Sequence, residues 1–199
     1  MSEGQSLGPV STAGRGLSSP AVRRISVAGT SGSGKSTTGR ALAARLGVPY
    51  VELDALHHGP NWQEAPPDVL RDRVAAAMAA APDGWVIDGN YRGKLGDLVL
   101  ERADTLVWLD LPLRVSLVRL WQRTWGRILR REELWNGNRE SVRGAFLGRE
   151  SLFAWTLRSH RTHRLELPGA AARHPGLNVV RLRSAAEVER FLAQASPSQ

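Results

Sequence analysis

Ile25-Ser-Val-Ala-Gly-Thr-Ser-Gly-Ser-Gly-Lys-Ser-Thr37 constrains the chain more than any other stretch. Gly29, Gly34, Lys35 and Ser36 complete the spacing G-x-x-x-x-G-K-[ST], after a short β-branched run and before a helix-forming one. Each residue type has a physical reason. A chain that wraps a phosphate must bend sharply and turn successive N–H groups inward, which side chains at the bends would obstruct. The following helix points its positive end at the same anion. Nucleotide contacts are therefore expected from Gly29, Thr30, Ser31, Gly32, Ser33, Gly34, Lys35, Ser36 and Thr37. Lys35 is expected at the β- and γ-phosphates, and the Ser36 hydroxyl at Mg2+. The pattern implies ATP and Mg2+ as ligands.

The rest of the 199-residue chain reads as an α/β succession of one domain's length. A strand over 22–28 leads into the loop, and a helix over 37–46 follows it. Further strands are expected at 50–53, 85–87, 105–109 and 177–182, with helices at 68–81, 95–102, 113–131, 153–165 and 185–195. Residues 55–67 and 168–176 read as irregular. Parallel strands joined by right-handed crossovers predict a three-layer α/β/α sandwich around a five-stranded parallel sheet. The Ser-, Gly- and Pro-rich residues 1–20 read as a disordered tail, with the folded domain over 21–199.

Asp54, Asp88 and Asp110 each follow a predicted strand, at the sheet edge where open α/β folds bind ligands. A carboxylate there can hold Mg2+ or accept a proton from a substrate hydroxyl, and equally can cap a helix or form a turn. The net charge is +8, and 25 of the 27 basic residues are arginine. Twelve of those arginines fall between Arg114 and Arg164, against four acids. This basic segment suits polyanionic ligands. We expect residues 122–165 to form an Arg-rich helical lid, hinged at Gly126, Gly137, Gly144 and Gly148. His57 and His58 lack a third ligand at useful spacing and read as loop histidines. Trp62 is open to stacking or covering roles, and Trp121 with Trp125 reads as packing.

Two segments carry a family resemblance. Asp88-Gly-Asn-Tyr-Arg92 resembles the Asp-Gly-Phe-Pro-Arg segment of adenylate kinases. Asp110-Leu-Pro112, with Arg119 and Arg123 on the next helix, is similar to the strand and helix leading into their lid. The Leu53-Asp…Trp62 stretch, Ile87-Asp-Gly-Asn-Tyr91 and Leu109-Asp-Leu-Pro112 look closer to the adenylate-kinase-like DNA topology modulation proteins. The resemblance implies Asp88 in the Mg2+ network with Ser36, Arg92 on a substrate phosphate, Arg119 beside the nucleotide base and Arg123 on phosphates. It implies transfer of the ATP γ-phosphoryl group to a small acceptor, first a nucleoside monophosphate. The adenylate-kinase segment Thr-Gly-Asp-Met-Leu-Arg is missing after Asp54. Were the acceptor an alcohol instead, Asp54 would be its base. A nucleotide-dependent nucleic-acid-binding regulator is a third reading, disfavoured because no helix-turn-helix or RNA-binding aromatic pattern is present. With no cysteine, no long apolar run and no apolar N-terminal segment, a cytoplasmic protein without a membrane span is expected.

Overall fold

The computed structural model describes residues 23–146 and 151–195. The predicted tail, and Gly148 among the expected hinges, lie outside the described residues. Five strands form one sheet: β1 (Arg24–Gly29), β2 (Tyr50–Glu52), β3 (Trp85–Asp88), β4 (Thr105–Leu109) and β5 (Asn178–Leu182). All pairings are parallel, in the order β2-β3-β1-β4-β5. This is the expected fold class. Side chains alternate across it with the period of two that a strand imposes. Ile25, Val27, Val86, Val107 and Leu109 face α1 (Lys35–Leu46) and α8 (Ala185–Gln194) through Leu42, Ala43, Leu46 and Phe191. On the opposite face, Trp85 and Ile87 meet Leu70, Val74 and Met78 of α3 (Pro67–Ala79). Ala28, Leu106 and Trp108 there meet Leu167 and Ala170 of α7 (Leu152–Ala172). Both faces are covered, so the central strands lack polar alternation.

Three local expectations are corrected. Residues 55–67 are not wholly irregular, because α2 (Leu53–His57) follows β2 directly and a single 3-10 turn spans Pro60–Trp62. One helical turn is too short for periodicity to reveal; it persists because Leu53 and His57, four residues apart, are both buried. The helix expected over 95–102 is instead α4 (Arg92–Leu95), followed by hydrogen-bonded turns. Gly96, at φ +63 and ψ −136, breaks the helical path. The loop expected from Pro168 is helical to Ala172. Proline there removes one backbone donor, but Leu167 and Ala170 are seated on β4, and that burial keeps the turn helical.

α5 (Leu113–Arg130) and α6 (Val142–Phe146) complete the helices among the described residues. α5 buries Ser116, Leu120 and Thr124 and ends on left-handed Arg131. Trp121 and Trp125 pack with Phe146 and Phe153 in an aromatic cluster that joins α5, α6 and α7, as the packing reading expects. Among the described residues no helix is long and apolar enough to cross a membrane.

Candidate active site

The loop from Thr30 to Gly34 joins β1 to α1 at the carboxyl edge of the sheet. Gly34 is the left-handed residue before α1, at φ 96, and no side chain caps the helix. The first-turn N–H groups are thereby left for an anion. Gly32, at φ +79, has α5 against it: a Cβ there would collide with the Ser116 carbonyl and the Leu120 side chain. Lys35 Nζ donates to the Thr30 carbonyl at 3.3 Å. Ser33 Oγ is buried without a hydrogen-bond partner. Arg119 reaches the same place, its Nη1 lying 3.7 Å from where a Gly34 Cβ would stand. Thr37 is exposed on the first turn of α1.

Beside the loop, sheet register sets Glu52 opposite Asp88 at the ends of β2 and β3. Ser36 donates to Glu52 Oε1 at 3.2 Å, and the Tyr50 hydroxyl to Asp88 Oδ2 at 2.9 Å. Asp88 Oδ1 is buried with no partner. Burial pushes the Asp88 pKa up, against the nearby Lys35 charge and the Ser36 and Tyr50 hydroxyls. A hydroxyl, a carboxylate and an orphaned carboxylate oxygen beside an anion cradle are hard oxygen ligands that fit Mg2+ with a nucleotide. Among the described residues no group of three or more His, Asp or Glu is disposed to hold a metal. Mg2+ that draws most of its shell from phosphate and water needs no such group.

Asp54 lies on α2 on the other side of this edge. Tyr91 donates its hydroxyl to Asp54 Oδ1 at 2.6 Å, with His58 Nε2 3.4 Å from the same hydroxyl. Burial and the Asp54 charge push the Tyr91 pKa upward, so it stays a neutral donor. Arg92 donates to Asp97 Oδ1 through Nε at 3.2 Å and Nη2 at 2.6 Å, with Glu166 4.0 Å away. Arg173 also donates to Asp97, at 2.8 Å through Nη2. The Arg123 side chain is exposed by area, yet protein crowds its guanidinium; that crowding and the Arg127 charge push its pKa down, with Glu140, Asp54 and Glu52 opposing.

The segment after α5 reaches back over the end of α2 and the turn that follows it. Asn138 is buried; its carbonyl oxygen accepts from Trp62 N–H at 2.8 Å and its amide donates to the Gly59 carbonyl at 2.9 Å. Asn136 donates to the His58 carbonyl at 2.5 Å, and Trp62 Nε1 to the Arg139 carbonyl at 3.3 Å. The Trp62 and Trp135 rings meet edge-on at 6.4 Å. Trp62 therefore belongs to a clasp between the two segments. His57 is a buried side chain of α2 packed on Tyr91, not a loop histidine. Its pKa is pushed down by burial and then by Lys94 and His58.

The structure thus gathers the loop, Lys35, Ser36, Asp88 and Arg119 at one place, with Asp54 alongside. Arg92 is engaged by Asp97, and Asp110 is buried between Arg164 and Arg181. Sequence reading passed over Glu52, Tyr50, Tyr91, Asn90 and the histidines of α7. Glu52 stood two positions before Asp54 at a strand end, a legible signal. Asn90 pairs with both backbone groups of Gly29, accepting at 3.3 Å and donating at 2.5 Å, which fixes the loop entrance. No signal could have marked His160, whose Nδ1 lies 3.1 Å from the Thr30 hydroxyl across 130 residues of sequence.

The parallel sheet, its strand order and the phosphate loop define the class: this is a P-loop kinase fold. The family model for shikimate kinase matches residues 31–77. The cytidylate kinase of Pyrococcus horikoshii is 27% identical over 111 residues, 50% of this chain and 56% of that protein. The shikimate kinase of Nitratidesulfovibrio vulgaris is 32% identical over 116 residues, 50% of this chain and 63% of that protein. The matched regions thus span little more than half of these relatives. The solved shikimate kinase of Bacteroides thetaiotaomicron superposes with a TM-score of 0.50 at 17% identity, covering 87% of this chain and 96% of that one. Over about half its length the chain is thus similar to shikimate and cytidylate kinases, and its fold is that of a solved shikimate kinase.

Proposed function

We propose that this chain transfers the γ-phosphoryl group of ATP to a small acceptor, and that the acceptor presents a hydroxyl. The carrying observation is the contrast between Asp54 and Arg92. Asp54 is half-buried and accepts from the neutral Tyr91 hydroxyl at 2.6 Å through Oδ1. Arg92, on which an acceptor phosphate would depend, is already bound to Asp97. Asp54 would accept the hydroxyl proton as the new O–P bond forms and the bond to the departing ADP breaks. The loop N–H groups and Lys35 would offset the charge of the nucleotide phosphates, and Ser36 and Asp88 would hold Mg2+, which would supply further positive charge there. Arg119 and Arg123, one turn apart on α5, would flank the nucleotide. The segment within 122–165 that carries Asn136 and Asn138 would act as the lid, and its closure would exclude water.

A nucleoside monophosphate is the second reading, favoured by the match to a cytidylate kinase and by Arg123 near Asp54. The finer likeness to DNA topology modulation proteins adds no acceptor to either reading. An acceptor panel measured by ADP release tests the proposal: cyclic hydroxy acids and sugar acids on one side, nucleoside monophosphates on the other. Turnover with the hydroxyl compounds supports it, and turnover confined to monophosphates selects the second reading. A salt-sensitive DNA shift with no acceptor turnover would favour the regulator instead.

A further inference from the structure

α7 crosses the mouth of the phosphate loop, and three contacts fix its line. His160 Nδ1 lies 3.1 Å from the Thr30 hydroxyl. Arg164 donates to Asp110 Oδ1 at 2.6 Å at the end of β4. Glu166 stands 4.0 Å from Arg92 on the acceptor side. His163 is three residues beyond His160 and three short of Glu166, on the same side of the helix. It therefore occupies the interval between the loop, with Lys35, and Arg92. Its Nδ1 is buried and has no hydrogen-bond partner. It is one of eleven such atoms among the described residues, and with Ser33 Oγ and Asp88 Oδ1 it lies beside the phosphate loop.

We propose that His163 is a catalytic residue that donates an imidazole N–H to an oxygen of the transferring phosphoryl group, with His160 as a positioning residue that ties α7 to the loop. The inference rests on the phosphotransfer reading and adds a donor from outside the phosphate loop and the lid arginines. Burial, followed by the Lys35, His160 and Arg92 charges, holds His163 neutral, with its pKa pushed down to about 4. A neutral imidazole between two cations adds no further repulsion before a nucleotide binds. It presents an N–H once a phosphoryl group lies between Lys35 and the acceptor. Donors already aimed at developing charge are effective because they need no reorganisation during the reaction.

The test uses the full chain labelled with 15N-histidine, at constant pH, with Mg2+ and either ADP or a non-hydrolysable ATP analogue. The proposal expects the His163 imidazole nitrogens to shift with the analogue and to change little with ADP. It also expects His163→Leu to lower phosphoryl transfer by about 100-fold while ADP affinity stays within about twofold. His163→Gln, which restores an N–H donor, should recover most of that loss. An analogue that binds without moving the His163 signals overturns the inference and leaves the kinase reading standing. Equal losses in the Leu and Gln variants would make His163 a packing residue and likewise overturn it. Failure of both nucleotides to bind would overturn the phosphotransfer reading and this inference together.

Discussion

Asn138 accepts the Trp62 backbone N–H at 2.8 Å, joining segments 76 residues apart in sequence. Asn61 and Trp62 on one side and Asn136 on the other are left-handed, with φ between 57 and 58, so each turn projects polar groups that an extended path would not offer. Asn138→Ala removes its two hydrogen bonds to the Trp62 segment and leaves the part-buried Trp62 N–H without this partner, a cost of about 1 kcal/mol. We expect faster hydrogen exchange in residues 131–146 and 58–65 of the variant, with a larger rise in acceptor KM than fall in kcat. If the lid proposal holds, nucleotide should slow exchange in the wild-type segment while β3 and β4 change little. Identical exchange in the variant and wild type would mean that the clasp does not close the site.

Lys35→Ala should leave the fold intact, since among the described residues the Lys35 ammonium makes a single long hydrogen bond, to the Thr30 carbonyl. ATP turnover should fall by orders of magnitude, because the variant loses its point charge at the β- and γ-phosphates. A thermal melt beside a turnover assay checks both halves; near-normal turnover in a folded variant would remove the kinase reading.

Asp54→Asn separates the acceptor classes. With a hydroxyl acceptor, kcat should drop by about 100-fold or more with little change in acceptor KM, because the proton acceptor is lost. Tyr91→Phe should lower kcat more mildly, since Tyr91 only orients Asp54. With a monophosphate, which needs no base at neutral pH, Asp54→Asn should be mild. Steady-state kinetics on both acceptor classes decides between these outcomes.

Two aspartates should pull stability in opposite directions with pH. The folded-state pKa of Asp88 is raised by burial, so Asp88 costs nothing below its unfolded value of about 3.9 and destabilises progressively as pH climbs toward the raised value. Asp88→Asn should therefore raise the melting temperature at neutral pH while abolishing turnover. Asp97 is the reverse case. Burial raises its pKa, but donation from Arg173 and Arg92 outweighs that and brings it to about 2. Its contribution, roughly 2 kcal/mol, is present above the unfolded pKa and lost as pH falls through the folded one. Asp97→Asn should lower the melting temperature at pH 7 and flatten its acid dependence below about pH 4. Melts from pH 2 to 8 test both signs.

Local chemistry made the phosphate loop, the five strands and the long helix after Pro112 legible without a structure. Glycine spacing, β-branched runs and helix-breaking residues act within a few positions of themselves. Asp54 and Asp88 were legible for a related reason, since strand ends converge on one edge of a parallel sheet. Partners were another matter. Whether Arg92 is free or bound to Asp97, and whether Asp110 faces a ligand or two arginines, depends on side chains brought in by α4, α7 and β5. The short helix α2 and the helical turn through Pro168 exist only because the sheet buries their apolar residues, against what local propensity favours. His160 met Thr30, and Asn138 met Trp62, through tertiary packing alone. Hydrogen bonds across 130 and 76 residues leave no periodicity or spacing in the chain, because the distance that matters to them is set by the packing of intervening elements.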